Sequence, residues 1–596
     1  MKKKWSAVLS MLLVFAFVLT ACGSSNSAQD GVLYTALQAE PGSLDPGLAQ
    51  SSPESWVINH LYTGLLAYDK DGKLVEGMST MPEVSPDGLT YTFHIKDGMK
   101  WSNGEPVTAN DFQYEWLRVL NPETAAVYAY QLYYLKGGEA YNSVEKPGVY
   151  YVKDDNGNDT KEVDHEVKYT DADLQGIDTN GKTPEQINDL VYQKWLKEKR
   201  DQVGVKALDD KTLQVVLENP TPYFADLTAF YSYYPVNQKV AEQDPDWAKQ
   251  TGDKYVCNGP FTLKDWQHNS QIQLVKNDHW YDAKDVKLNG ITIDILEDAN
   301  TGWQNFDSGK YGVFVDPPKE IVAQKLEEKA PTLKIGKLIG TYYYNFNNIQ
   351  TKDNKNPFAN KDIRKALSLA IDRDALVNNI TKGGEIAATG MVPGGLKDDQ
   401  DKDFRDANGK LLEYNPEKAK ELLAKGLQEE GLTKADLNGK VILYNTDQNH
   451  KKIAQAIQEM WKNTLGIDLQ LENVDFNVKM AREHAHDFDI SRGGWVGDYS
   501  DPMTILDLFV TGGPMDDCGF SNKQYDELIK KAKTTGDQKV RMDSMKEAEK
   551  ILMEEAPIAP IYFYTQPYFV QEGVKGIYKP ALQYPVLTYT DLGAQK

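Results

Sequence analysis

The sequence predicts an α/β protein with more than one domain. The chain has 596 residues, which is long enough to form several hydrophobic cores. Hydrophobic residues make up 40% of it and aromatic residues 11%, a composition typical of folded globular proteins. In the second half, segments with strand-like alternation follow segments with helical spacing, which is the pattern of an α/β domain. We find no internal repeat.

The first 22 residues have the order of a bacterial export signal. Residues 2–4 are lysines, and the apolar run 7–19 follows them. That run is shorter than the roughly 20 apolar residues that span a bilayer. The quartet Leu19-Thr20-Ala21-Cys22 resembles a lipobox, so we expect cleavage before Cys22, a lipid on its sulfur and a flexible tether after it. An ordinary signal with a chance cysteine is the alternative.

The individual elements follow from residue spacing. Strands are expected where apolar and polar residues alternate, at 32–37, 91–95, 203–217 and 259–275 (two hairpins), 340–347, 441–444 and 488–492. Helices are expected where apolar residues recur every three or four positions, at 56–66, 112–120, 184–197, 360–372, 416–424, 450–465 and 543–553. Thr108 and Asp111 can cap the second of these helices. The polar region 141–199 predicts a surface elaboration around its one helix.

Charge and cysteine content exclude several classes of function. The formal net charge of −22 argues against nucleic acid, which needs patches of lysine and arginine, and against docking on anionic lipids. Besides Cys22, only Cys257 and Cys518 are present, and both a disulfide and two buried thiols stay open. His484 and His486 could form a metal pair, but solvated histidines are the favoured interpretation. We expect no metal and no cofactor.

Seven blocks in order resemble the extracytoplasmic solute-binding proteins of peptide ABC importers, the large oligopeptide-binding class. The blocks are residues 43–55 (SLDP and PES), 91–116, 219–224 (NPTPYF), 258–266 (NGPFTLKDW), 340–348 (GTYYYNFNN), 364–376 and 492–502 (RGGWVGDYSDP). The resemblance covers nearly all of the chain after the signal. It implies a periplasmic-binding-protein-like bilobed clamp of the class with an extra third domain. Ligand would be buried between lobes that close by a hinge motion.

By position, the resemblance implies three domains. Lobe I comprises 23–66, 237–338 and 566–596, the extra domain II comprises 67–236, and lobe III comprises 339–565. The implied function is a lipid-anchored, extracytoplasmic and monomeric receptor that captures short oligopeptides and delivers them to a membrane permease. Relatives with this fold bind oligosaccharides, nickel chelates, haem or signalling peptides, so these ligands remain alternatives. No enzyme is expected, because the sequence lacks G-x-S-x-G, H-E-x-x-H, P-loop and G-x-G-x-x-G motifs.

The resemblance also implies how the ends of a peptide would be held. Asp498 matches the family position that anchors the amine, a charged group that needs a carboxylate when it is buried. Asp501 competes with it, although its place before Pro502 suits a turn. The residues expected to supply a cation for the peptide carboxylate are Arg492, Arg482 and His450.

The remaining expected contacts concern the peptide backbone and side chains. An extended peptide can add as a strand to an exposed edge. By resemblance, the edge residues are Gly494, Trp495 and Val496 from one lobe and Gln50, Ser51 and Ser52 from the other. Trp495, Tyr128 and Tyr343 are expected to offer apolar walls for ligand side chains.

Overall fold

The computed structural model describes residues 31–70, 72–153, 159–350 and 356–593. The predicted export signal, the lipobox with Cys22 and the tether lie outside these residues. No helix within the described ranges has the length and the apolar character needed to cross a membrane.

A four-stranded sheet lies in the segments expected to form lobe I. Its strands, in order across the sheet, are Val32–Leu37, Gly290–Ile295, Gln271–Lys276 and Phe261–Gln267. The first pair is parallel and the others are antiparallel. The α-helices of these segments are Ser52–Leu61, Gln238–Gln243, Ala299–Asp307 and Lys319–Glu327. The first helix ends at Leu61, not at residue 66 as predicted, because Tyr62 turns to an extended conformation.

A second four-stranded sheet lies in residues 67–236. Its strands, all antiparallel, are Glu83–Val84, Thr90–His94, Thr212–Val216 and Val205–Ala207. The accompanying α-helices are Ala109–Leu120, Gly138–Asn142, Pro184–Arg200 and Phe224–Leu227. Thr108 and Asp111 cap the first of them reciprocally, as predicted. Two hairpins, Leu66–Tyr68 with Leu74–Glu76 and Gly148–Lys153 with Asp159–Val167, were not predicted.

The largest sheet has seven strands. Their order is Val313–Phe314, Ile558–Val570, Leu333–Phe346, Ile490–Val496, Val441–Asn445 and Gln470–Val474, with Ile386–Ala387 paired to Ile558–Val570. The α-helices after residue 339 are Lys361–Leu369, Arg373–Ala375, Phe404–Asn408, Pro416–Glu430, Gln448–Leu465, Phe476–His484, Met503–Leu506, Lys523–Thr534 and Gln538–Glu555. Aromatic side chains from the sheet and helices, including Tyr342, Tyr344, Phe358 and Trp461, fill one core between them.

Two long strands of this sheet, Leu333–Phe346 and Ile558–Val570, are called the crossing strands. They pair with each other, and their register shifts between Lys337 and Thr341. An irregularity of this kind bends a strand and increases its twist. It falls at the boundary expected between lobes I and III, so we expect the hinge to lie here.

The carboxyl-terminal segment returns to the beginning of the chain. Nε1 of Trp56 donates a hydrogen bond to the carbonyl of Pro585 at 2.8 Å. The amide of Leu587 donates to Nε2 of His60 at 3.1 Å. Burial lowers the pKa of His60 to about 4, so the ring is neutral and this nitrogen can accept. Two side chains of the helix Ser52–Leu61 are therefore hydrogen-bonded to backbone groups more than 500 positions away in the chain.

Both cysteines of the folded body are free and buried. Burial raises the pKa of Cys257 to about 12, and it raises that of Cys518 well above the ordinary thiol value. Both are therefore protonated and unreactive near neutral pH. Of the two alternatives that the sequence left open, the structure contains the buried thiols.

Candidate functional site

A cavity of about 360 Å³ lies where the three expected domains meet. Its walls include residues 37–39, 50–53, 315–317 and 582–584, the rings of Tyr128, Phe230 and Tyr231, and residues 449–450, 479–480, 483–484, 492–498 and 564–567. The residues of the predicted site that line it are Gln50, Ser51, Ser52, Tyr128, Tyr343, His450, Arg492, Gly494, Trp495, Val496 and Asp498. Only Arg482 of the predicted set is not in this lining.

Asp498 is a buried carboxylate without a cationic partner among the described residues. It follows the strand Ile490–Val496, and Thr504 holds its backbone, with the Asp498 amide donating to the Thr504 hydroxyl at 2.8 Å. Gln131 is the only described side chain that donates to its carboxylate, at 2.9 Å. Burial raises the pKa of Asp498 well above its usual range. A cation brought into this place would therefore gain a strong charge-assisted hydrogen bond.

Arg492 is the complementary case, a partly buried cation without a carboxylate partner in the described part of the chain. Its guanidinium lies over the ring of Tyr342 at 4.7 Å, and it donates to the hydroxyl of Tyr564 at 3.0 Å. Its Nε is buried and has no hydrogen-bond partner. Since a guanidinium has five donors in a planar fork, Arg492 can still donate hydrogen bonds to a carboxylate of a ligand.

The two other expected cations are corrected by the structure. Burial and the neighbouring charges of Arg492 and Lys479 lower the pKa of His450 well below its usual value. His450 is thus neutral and supplies a polar wall, not a charge. Arg482 is neutralised outside the cavity, where its side chain is bonded to Glu472 at 3.0 Å and Asp487 at 3.1 Å.

The strand Ile490–Val496 leaves one backbone edge open toward the cavity. On one side it pairs with a crossing strand along its whole length, from Ile490 to Val496. On the other side it pairs with Val441–Asn445 only at Ile490 and Ser491. Residues 492–496 therefore have no strand partner on that side among the described residues. An extended chain can pair there through its backbone.

The opposite edge, at Gln50, is shaped by Glu54, which the sequence analysis did not single out. The Glu54 carboxylate accepts from the amides of Ser43 and Gln50, both at 2.7 Å, and from the Ser51 hydroxyl at 2.8 Å. The Gln50 amide is thus already used inside the protein. Its side-chain oxygen is buried and has no hydrogen-bond partner in the described ranges, so the side chain is the part of Gln50 that a ligand can contact.

Aromatic rings cover the cleft from both sides. Trp495 stacks on Tyr128 with ring centroids 6.3 Å apart and planes 12° apart. Tyr343 packs under Gly493, where an added Cβ would lie 2.4 Å from the ring. The glycine is therefore required for the close approach of strand and ring. Trp495 and Tyr128 come from different expected domains, so their contact joins lobe III to domain II.

Several buried polar atoms of the cavity wall have no hydrogen-bond partner among the described residues. These atoms are Oε1 of Gln50, Oδ1 of Asn445, Nε of Arg492, Nε1 of Trp495 and Oε1 of Gln566. Buried polar groups in folded proteins are nearly always hydrogen-bonded. Unpartnered donors and acceptors around one cavity indicate a ligand with many polar groups, not an apolar one.

A second cluster, called the latch, joins domain II to lobe III beside the cavity. Tyr223 stacks on Tyr499 with centroids 5.0 Å apart and planes 3° apart. The Tyr134 and Tyr499 hydroxyls lie 3.3 Å apart, and Arg541 covers Tyr223 at 4.7 Å. Arg541 is also paired with Asp501 at 2.6 Å. Asp501 is thus committed to the latch and not to the cavity.

We expect Arg541→Met to destabilise the protein strongly. The substitution leaves the Asp501 carboxylate buried without its cation, which costs about 3–5 kcal/mol. Denaturant titration of the ligand-free protein measures this loss. The double variant Arg541→Met/Asp501→Asn should regain part of it, since the uncompensated charge is gone. Equal stability of the single and double variants would contradict the assignment.

The histidine pair does not form a metal site among the described residues. His484 Nδ1 lies 2.9 Å from a carboxylate oxygen of Asp517, and His486 Nδ1 lies 3.0 Å from the Asp517 carbonyl. No group of three or more potential ligands occurs in the described ranges. The two rings contact the same residue through different atoms, and both hold the loop that carries Asp517.

Four residues of the site were not singled out in the sequence. They are Gln131, which donates to the Asp498 carboxylate, and the cavity residues Asp316, Asp447 and Tyr564. Gln131 lies in a short 3-10 helix, Val127–Leu132, and Asp447 caps the helix Gln448–Leu465. The cap could have been read from the sequence, whereas the proximity to the cavity depends on tertiary structure.

Comparison with known proteins identifies close relatives over the whole chain. Residues 44–517 match the family described as bacterial extracellular solute-binding proteins, family 5 Middle. The oligopeptide-binding protein OppA of Bacillus subtilis (strain 168) is 38% identical over 594 residues, which cover 97% of this chain and 98% of that protein. The structure of Listeria monocytogenes OppA bound to peptide gives a TM-score of 0.77 at 30% identity and covers 94% of this chain and 99% of that one.

A third similarity concerns conformation. The unliganded open form of the murein tripeptide-binding protein MppA gives a TM-score of only 0.57 at 29% identity, with 94% of this chain and 96% of that chain covered. At nearly equal identity, the structure is therefore more similar to the peptide-bound relative than to the open one. The predicted α/β, bilobed fold class is confirmed, and the overall arrangement is nearer to that of the peptide-bound relative.

Proposed function

Because the chain belongs to the bacterial extracellular solute-binding proteins of family 5, we propose that it captures short oligopeptides outside the cytoplasmic membrane and delivers them to an ABC permease. Asp498 carries this proposal. It is a buried carboxylate whose only described donor is a neutral amide. The amino group of a peptide is a small cation with several hydrogen-bond donors. Asp498 has no such partner among the described residues.

The rest of the cleft supports a peptide as ligand. The backbone of residues 492–496 can pair with an added strand. Such pairing uses only backbone groups of the peptide, so peptides of many sequences can bind in this way. Arg492 can bind a carboxylate with the donors that Tyr564 leaves free. Closure of the lobes would exclude water and strengthen both charge interactions. The latch would hold the lobes together around the peptide.

The location and attachment follow from the amino terminus. We propose that Cys22 carries a lipid and tethers a monomeric receptor to the outer face of the cell membrane. The lipobox-like quartet that ends at Cys22 supports this.

The proposal is tested by identifying what the purified protein holds and what stabilises it. We expect mass spectrometry of a denatured preparation to find short peptides. We also expect added tri- to pentapeptides to raise the melting temperature, since a ligand that binds only the folded state stabilises it. An oligosaccharide, a nickel chelate or haem in place of peptides, with no shift from any peptide, would refute the ligand class. Cleavage of the added peptides would refute a role in binding alone.

A further inference from the structure

The cavity contains a second acidic place, distinct from Asp498. Asp316 lies two residues after the strand Val313–Phe314 and lines the cavity. None of the described residues donates a hydrogen bond to its side chain, although Gln38 Nε2 donates to its backbone carbonyl at 2.6 Å. Burial and the charge of Asp447 raise the pKa of Asp316 to about 7, against the opposing effect of Lys319. The charge of Lys319 is already matched by an ion pair with Glu385.

Asp447 approaches this place from the other lobe. It caps the helix Gln448–Leu465, accepting with one oxygen from the amides of Asn449 at 2.7 Å and His450 at 2.9 Å. The nearest basic ring, His450, is neutral and so does not balance its charge. The charge of Asp447 contributes to the raised pKa of Asp316, although the two residues come from opposite sides of the cleft.

Two buried amide side chains add acceptors in the same lining. Gln566 is 4% exposed, and its Oε1 has no partner. Asn445, two residues before Asp447, likewise has a buried Oδ1 without a partner. Phe314 pairs with Phe569, so continuation of this antiparallel register brings Asp316 next to Pro567 and Gln566. Carboxylates and amide oxygens are all acceptors, and only a ligand group rich in donors can satisfy them.

This place is separate from the amine anchor. Asp498 follows the strand Ile490–Val496 and accepts from Gln131, whereas Asp316 follows the strand Val313–Phe314 in a different part of the cavity wall. In the proposed function, Asp498 binds the peptide amine. A second cation on the ligand would therefore be needed to pair with Asp316.

We propose that Asp316 and Asp447, with the amide oxygens of Asn445 and Gln566, form a subsite for a positively charged side chain of the bound peptide, lysine or arginine. The inference rests on the proposed function and names the peptides that the receptor prefers. Removing one partner of a close charge pair weakens binding by about 30-fold or more in measured interfaces. A clear preference for basic peptides follows.

The test compares tetra-alanine with peptides that carry one lysine at position 2, 3 or 4, and with the same peptides carrying norleucine instead. Norleucine keeps the methylene chain and lacks the charge. At one of these positions, we expect calorimetry to show that the lysine peptide binds at least about tenfold more tightly than the norleucine peptide. Asp316→Asn should abolish that ratio, while tetra-alanine still binds. Its melting temperature should not fall, because the carboxylate accepts no hydrogen bond from the described residues that could be lost.

Asp517→Asn is the matched control, because Asp517 lines the same cavity but is already paired with His484. It should retain the lysine preference. The absence of a lysine preference in the wild-type protein, or its persistence in Asp316→Asn, would overturn the subsite while peptide capture stands. Failure of every peptide to bind, tetra-alanine included, would instead overturn the proposed function and this inference with it.

Discussion

Replacement of Asp498 by asparagine is expected to weaken peptide binding by about 30-fold or more, which corresponds to roughly 2 kcal/mol and upward. The side chain keeps its shape and can still accept from Gln131. What is lost is the negative charge opposite the peptide amine, in a place where burial makes each charge interaction strong. Calorimetry with one short peptide on both proteins gives the ratio directly.

Two controls separate the charge effect from a general disturbance. Acetylation of the peptide amine should weaken binding to the wild-type protein by a similar factor and have little further effect on Asp498→Asn. The two changes remove the same interaction, so their free energies should not add. Asp517→Asn, which alters a cavity carboxylate already paired with His484, should change the affinity little. Full additivity of acetylation and Asp498→Asn would show that the amine is held elsewhere.

Replacement of Arg492 by methionine should cost at least about tenfold in affinity for peptides with a free carboxylate. Methionine retains much of the apolar contact with Tyr342 but has no donors. Peptides with an amidated carboxyl end should bind both proteins equally, because they do not use the guanidinium charge. Titration of both peptide forms against both proteins measures this difference.

Arg482→Met is the matched control for that experiment. Arg482 precedes Arg492 by ten positions but is bonded to Glu472 and Asp487 outside the cavity lining. Its replacement should not distinguish the free from the amidated peptide. If Arg482→Met and Arg492→Met discriminate equally, the carboxylate does not rest on Arg492.

Local sequence patterns predicted the elements that have clear boundaries. The strand Val32–Leu37 begins and ends as predicted. The helix Ala109–Leu120 has the predicted cap, because Thr108 and Asp111 satisfy its first amides without help from distant residues. The family resemblance supplied Asp498 and Arg492 as site residues, and the structure brings both to the cavity. Their roles remain predictions.

Tertiary contacts explain what the sequence did not predict. The crossing strand Ile558–Val570 is mostly buried, so it lacks the alternation of a half-exposed strand. Its prolines, Pro560 and Pro567, also argue against a strand. The strand predicted at 488–492 continues to Val496, because the crossing strand Leu333–Phe346 pairs with it through Gly493 and Gly494 and on to Val496. Nothing local distinguishes Arg492 from Arg482, since only the sheet determines which one faces the cavity.

The return of the carboxyl-terminal segment to the helix Ser52–Leu61 has a consequence for biosynthesis. Trp56 and His60 obtain their partners, Pro585 and Leu587, only when almost the whole chain has been made. Residues 339–565 are contiguous and can complete their packing earlier, as domains do when they fold in order of synthesis. We therefore expect the segments around the helix Ser52–Leu61 to complete their packing last, after the carboxyl-terminal segment has been made.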